Sequence, residues 1–118
     1  MKHPERVEDY LEHIVEAIDH IASYLEDITE YSGFEGDPRT RDAVVRNLEI
    51  IGEAATRIRV MDPEYQARHP ELPWVEMRGM RNKMIHGYFD VDWEVVWQTA
   101  RNDLPSLRHL IDTLLKGG

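Results

Sequence analysis

The side chains best suited to chemistry on a phosphate ester lie together near residue 80 of this 118-residue chain. Arg81 and His86 are separated by four residues, Asn82 follows the arginine, and Tyr88 lies two residues past the histidine. A histidine can move protons to and from oxygen near neutral pH. An arginine fork matches phosphate oxygens and stabilises a pentacoordinate state. The cluster therefore predicts metal-independent cleavage of RNA, with the 2′-hydroxyl as internal nucleophile, which DNA lacks.

Helical geometry decides which of these groups share a face. At about 100° per residue, Arg78, Asn82 and His86 line one face, and the three methionines Met77, Met80 and Met84 form an opposing apolar stripe. Arg81 lies about 140° around the helix from His86. Its side chain must therefore bend around the helix, or it must meet the histidine of a second copy.

Each residue also has a purely structural interpretation. His86 could be a helix-end histidine favoured by the macrodipole, and Arg81 could pair with an acid of the first helix. Tyr88 could be a core residue with a hydrated hydroxyl, and Asn82 a structural cap. The methionines and tryptophans are expected in the core, with the tryptophans alternatively at a dimer surface.

A metal site is the weaker alternative for the acidic first helix. One of its faces carries two carboxylates and two imidazoles that could bind a metal: Asp9, His13, Glu16 and His20. A ferritin-like site needs Glu-x-x-His repeats on paired helices, and the sequence contains no Glu-x-x-His. We expect neither a metal nor another cofactor, and a solvated face that could dock a basic partner.

The formal net charge of −9 is unevenly distributed. Residues 1–37 contain eleven acids and two bases, whereas residues 38–118 contain twelve of each. This balance disfavours broad nucleic-acid coating but allows a local cationic site. The chain has no cysteine and no apolar stretch of the roughly 18 residues that a membrane span needs. Its start lacks the apolar core of a signal peptide. We expect one domain, residues 1–118, in the cytoplasm.

Apolar residues recur at three- and four-residue steps, which predicts helices throughout. The first helix is expected over residues 4–31, ended by the segment 32–36. Asp37-Pro38 and Asp62-Pro63 begin a long second helix and a short helical turn, and Pro73 opens a helix that reaches about residue 86. Asp90 or Asp92 caps the last helix, which Pro105 should kink. The fold class predicted is all-α: an antiparallel up-and-down four-helix bundle with one short extra helical turn.

Three stretches resemble the HEPN-domain proteins of the HepT-like toxin family. They are Arg46-Asn47-Leu48-Glu49-Ile50-Ile51-Gly52-Glu53-Ala54-Ala55, Pro73-Trp74 with Gly79-Met80-Arg81-Asn82-Lys83-Met84-Ile85-His86-Gly87-Tyr88-Phe89, and Val91-Asp92-Trp93-Glu94-Val95-Val96-Trp97 with Leu104-Pro105. The likeness covers nearly the whole chain. Arg78 departs from it, since a smaller or apolar residue is expected there.

This resemblance implies a homodimeric endoribonuclease toxin of a toxin–antitoxin pair, with the two motifs meeting at a cleft between subunits. It implies Arg81 and His86 as catalytic residues, and Asn82 as a polar helper. Arg78 and Lys83 are candidate RNA contacts. The implied antitoxin is a minimal, MntA-like nucleotidyltransferase that attaches AMP to Tyr88. Such a group would add bulk and negative charge beside Arg81 and exclude RNA phosphate.

Two other functions remain open at the level of sequence. The bundle could be a non-catalytic binding partner of a nucleotidyltransferase, or it could bind a nucleotide in the dimer cleft. It could also be a structural helical dimer whose polar motif forms an interface network.

Overall fold

The computed structural model describes residues 6–80, 82 and 90–117. All regular elements of these residues are helices. They are α1 (Val7–Tyr24), α2 (Tyr31–Glu35), α3 (Pro38–Met61), α4 (Pro63–Arg68), α5 (Trp74–Arg78), α6 (Trp93–Gln98), a π-helical turn (Thr99–Asp103) and α7 (Leu104–Lys116). The prediction of an all-α, HEPN-like fold is confirmed.

Helices α1 and α3 pack along each other and form the centre of the fold. Each turns an apolar stripe inward, and Ile14 of α1 and Ile51 of α3 are both 0% exposed. Helix α7 packs on α1, while α4 and α5 pack on α3. One continuous apolar core joins these helices, and α5 rests on α3, the longest described element.

The first helix is shorter than predicted, because α1 ends at Tyr24 rather than at residue 31. The chain then turns, with the Ile28 amide donating to the Leu25 carbonyl at 3.0 Å. The segment expected to be a helix breaker is itself the helix α2. The turn allows Phe34 of α2 to reach the core, where its ring centroid lies 5.3 Å from that of Trp97. Apolar spacing continues through the turn, so periodicity did not indicate the end of α1.

The last helix contains a wide turn in place of a regular α-helix. Asp92 is its cap and accepts a hydrogen bond from the Val95 amide at 3.2 Å. The Leu104 amide donates to the Thr99 carbonyl, a five-residue step. Pro105 lies at the start of α7, where a missing amide hydrogen and a proline ring are tolerated. The sequence predicted a kink at Pro105, and the structure has a π-helical turn directly before the helix that contains this proline.

Helix α5 ends at Arg78. Met80 and Asn82 are also helical, and the remainder of the helix predicted up to residue 86 lies outside the described residues. Met77 and Met80 are buried, as are Trp74 and Trp97, which confirms their prediction as core residues. Met84 lies outside the described residues.

Candidate functional site

The predicted catalytic cluster is described only in part. Arg81, Lys83, His86 and Tyr88 lie outside the described residues. Asn82 is helical and exposed, and the side chain of Arg78 is half-buried. These two residues, together with the elements that hold them, give the site its described geometry.

Helix α5 approaches α3 closely at one glycine of α3. A Cβ atom added to Gly52 would lie 3.2 Å from the carbonyl oxygen of Met77 and 3.6 Å from that of Arg78. Both oxygens belong to the backbone, so they cannot move away by a change of rotamer. The absence of a side chain at Gly52 therefore sets how near the Arg78 segment lies to α3.

The start of α5 is anchored by aromatic residues. The Trp74 indole N–H donates to the His69 carbonyl oxygen at 2.8 Å. The Tyr65 ring lies 4.4 Å from the His69 ring and 6.1 Å from that of Trp74, measured between centroids. Burial raises the pKa of the Tyr65 phenol above its ordinary value. These contacts attach α4 and the α4–α5 loop to the base of the helix that carries Arg78.

A glutamine connects Arg78 to α3. The Gln66 side-chain amide donates to the Ala55 carbonyl oxygen at 3.0 Å. The Gln66 carbonyl oxygen in turn accepts a hydrogen bond from the Arg78 guanidinium. The guanidinium is therefore oriented by a neutral group that is itself fixed to the backbone of α3.

Arg78 and Asn82 both line a groove of about 860 Å³ that α1 and α3 also border. Helix α1 contributes Tyr10 and His13, whose rings meet edge to face with centroids 6.3 Å apart. The arrangement of Arg78 and Asn82 agrees with the common helix face expected from their four-residue spacing. A volume in this range is typical of sites that bind small molecules.

The described residues that line this groove have a positive formal balance in an otherwise acidic chain, with three arginines against two glutamates: Arg46, Arg57 and Arg78 against Glu49 and Glu53. Arg57 pairs with Glu53 at 2.9 Å, and both side chains are more than half exposed. Such an exposed pair is weak and leaves the arginine able to exchange partners.

The α1 and α3 residues of this groove were not predicted from the sequence as part of the RNA site, and His13 was considered only as a metal ligand. A signal was present in α3, where Arg46, Glu49, Glu53 and Arg57 recur at three- and four-residue steps. Such spacing places them on one face of a helix. That face was not related to the Arg78 segment because sequence alone does not show which face α5 packs against.

The side chains on the candidate metal face of α1 contact different partners. Asp9 forms an ion pair with Arg6 at 3.2 Å, whereas His13 lines the groove and the His20 ring lies beside that of Tyr24. Within residues 6–80, 82 and 90–117, no group of three or more His, Asp or Glu side chains is placed to hold a metal ion.

Comparison with known proteins decides the family. The sequence profile described as Ribonuclease HepT-like matches residues 14–114, most of the chain. The chain belongs to this family. Its description is that of an RNA-cleaving enzyme, so the predictions of a HepT-like resemblance and of an RNA-cleaving enzyme are confirmed.

Named relatives of this HepT-like chain align over nearly all of it. It is 45% identical over 108 residues to the Probable ribonuclease HepT of Thermococcus cleftensis, covering 92% of this chain and 94% of the relative. It is 36% identical over 107 residues to a protein of Caldanaerobacter subterraneus that is provisionally named an RNase, covering 91% and 92%.

No solved structure matches the chain significantly. In the part of the chain that the structure describes, no helix is both long and apolar enough to cross a membrane.

Proposed function

We propose that this HepT-like chain is a metal-independent endoribonuclease toxin that acts in the cytoplasm as half of a toxin–antitoxin pair. One observation supports the placement of its site. Asn82, which directly follows Arg81, lies with Arg78 on the wall of a groove with three arginines. Asn82, the described member of the predicted motif, therefore lies at a surface suited to a phosphate backbone.

In this proposal, His86 and Arg81 carry the reaction and Asn82 assists them. The ribose 2′-oxygen attacks the adjacent phosphorus while the bond from phosphorus to the 5′-oxygen breaks. The 2′-proton leaves to a base and the 5′-oxygen receives a proton, which gives a cyclic phosphate and a 5′-hydroxyl. His86 serves in proton transfer, and Arg81 stabilises the charge on the phosphoryl oxygens. Arg78 and Lys83 bind neighbouring phosphates.

The proposed enzyme is a homodimer, because the Arg81 and His86 of one ideal helix point about 140° apart. Two copies that bring the helices together at a shared cleft would allow Arg81 of one subunit to meet His86 of the other. The proposed regulator is a minimal nucleotidyltransferase that transfers AMP to the Tyr88 hydroxyl. The added phosphate would occupy the arginine and block RNA.

Cleavage of RNA by purified, unmodified protein tests the catalytic assignment. We expect the parent to cut single-stranded RNA in the presence of EDTA and to leave DNA of the same sequence intact. His86→Ala should abolish cleavage and preserve helicity. His109→Ala is the matched control, since His109 is exposed on α7. If the unmodified parent leaves RNA whole, or if both histidine variants cut equally, the catalytic assignment is wrong.

The intact mass after co-expression with a neighbouring nucleotidyltransferase tests the proposed control. We expect AMP on the parent chain and its absence from Tyr88→Phe. Tyr24→Phe is the control, because the Tyr24 side chain is exposed. An unmodified chain in a tight complex would contradict the AMP mechanism and favour the alternative, a non-catalytic binding partner.

A further inference from the structure

We propose that Gln66 is a positioning residue that holds the Arg78 guanidinium as a phosphate-binding group of the α1–α3–α5 groove. The bound phosphate would belong to the RNA backbone beside the cut. The inference rests on the proposed function for its ligand. It adds a residue twelve positions before Arg78 whose side chain contributes geometry rather than charge.

Gln66 is held by hydrogen bonds at both ends of its side-chain amide. Its amide donates to the Ala55 carbonyl oxygen at 3.0 Å, within the rigid helix α3. The opposite end of the same amide accepts from Arg78. Because the planar amide is fixed at one end, its oxygen points in one direction and orients the guanidinium before RNA binds. Less side-chain conformational entropy is then lost when a phosphate binds.

The partner that orients Arg78 is electrically neutral. Several other arginines of the described chain pair with carboxylates, as Arg108 does with Asp19 at 2.6 Å and Arg68 with Asp62 at 3.2 Å, whereas Arg101 donates to a backbone carbonyl oxygen. Among the described residues, Arg78 has only the Gln66 amide as a hydrogen-bond partner. The amide is neutral, so this hydrogen bond uses one of five guanidinium donors without itself neutralising the charge. Such an arginine is oriented and still able to bind an anion.

Two further arginines lie in the same groove as Arg78. Arg46 and Arg57 line the same groove on α3, eleven residues apart, which corresponds to about 16 Å along a helix axis. Together with Arg78 they form a cationic track rather than a single point. Tyr10 and His13 also line this groove, and aromatic rings of this kind stack on nucleobases. A single RNA strand fits both features.

Binding of a short, labelled single-stranded RNA to the full chain carrying His86→Ala tests this role without cleavage. Gln66→Glu places a carboxylate against Arg78 in a side chain of nearly the same shape. We expect binding to weaken about tenfold. The slope of log K against log salt should become shallower by about 0.7, the value for one lost phosphate contact on a single strand. Arg78→Gln should give the same change of slope.

Two further variants separate position from charge. Gln66→Met removes both hydrogen bonds and adds no charge, so we expect weaker binding with an unchanged slope. Gln98→Glu makes the same change of charge at an exposed glutamine of α6, and we expect binding close to that of the parent. Thermal melting of every variant checks folding, and Arg78→Gln decides the result if Gln66→Glu does not fold.

The proposal is overturned if Gln66→Glu and Arg78→Gln bind RNA as the parent does. It is also overturned if Gln98→Glu weakens binding equally, or if Gln66→Met has no effect. Failure of the proposed function is distinct: the His86→Ala chain would still bind RNA in this assay, but the chain with His86 intact would leave RNA whole in the cleavage assay.

Discussion

Gly52 controls the spacing between α3 and α5, and Gly52→Ala measures that control. In the middle of a helix, alanine is ordinarily more stable than glycine by about 1 kcal/mol. At this position, the new Cβ would lie 3.2 Å from the Met77 carbonyl oxygen, so the backbone must move by a few tenths of an ångström. Overpacking of this kind costs about 1–3 kcal/mol. The net result should lie between no change and a loss of about 2 kcal/mol.

The matched control is a pair of variants at Thr56, an exposed position one turn further along α3. Thr56→Ala and Thr56→Gly both lack the threonine hydroxyl, so their difference reports the ordinary preference for alanine. Urea unfolding should show that difference at about 1 kcal/mol. Gly52→Ala should show no such increase in the free energy of unfolding. In thermal melts, 1 kcal/mol corresponds to about 4 °C for a chain of this size.

The same variant should impair RNA cleavage if the proposed function is right. Movement of α5 displaces Arg78 and its neighbour Asn82 relative to the arginines of α3. A displacement of about 1 Å can reduce a rate about a hundredfold, so a smaller shift should cost about three- to tenfold. A full 1 kcal/mol gain in stability for Gly52→Ala, with unchanged cleavage, would refute the reasoning.

Three other perturbations test the fold. Phe34→Ala should lower the free energy of unfolding in urea by about 4 kcal/mol, because this fully buried ring fills the space beside two tryptophans; a loss below about 1 kcal/mol would contradict that packing. Asp62→Ala should cost about 1 kcal/mol by removing the cap of α4, and an unchanged midpoint would argue against the cap. The hydrogen bond from Arg108 lowers the pKa of Asp19 below its ordinary 3.8. Its stabilisation is therefore present above about pH 4 and is lost as the pH falls through the lowered pKa, so the parent and Asp19→Asn should converge in stability in acid. Equal stability of the two at neutral pH would contradict this.

Local signals in the sequence predicted most helix starts. Asp37 and Asp62 each precede a proline, and both cap their helices in the structure. Regular apolar spacing predicted the buried faces of α1 and α3. The end of α1 was not predictable in this way, because Leu25 and Ile28 continue the apolar spacing into a turn.

The groove was less predictable than the helices. Its α5 side followed from the spacing of Arg78 and Asn82 within one helix. Its other walls depend on how α5 packs against α3. That close packing is possible because residue 52 is a glycine. The link through Gln66 depends on a side chain twelve residues away, and no local pattern distinguishes this glutamine from any other.

The π-helical turn at Thr99–Asp103 gives the last helix a place where its length can change. A five-residue step holds one residue more than a regular turn, so deletion of one residue there would leave the buried faces on both sides in phase. The same deletion elsewhere would rotate Leu107 and Ile111 by about 100° away from the core. The deletion within the π-helical turn should be tolerated only if Pro105 is also replaced. Without the wide turn, the proline ring would lie against an ordinary α-helical turn, at a cost of about 3 kcal/mol. We expect homologues one residue shorter in this turn to have lost the proline as well.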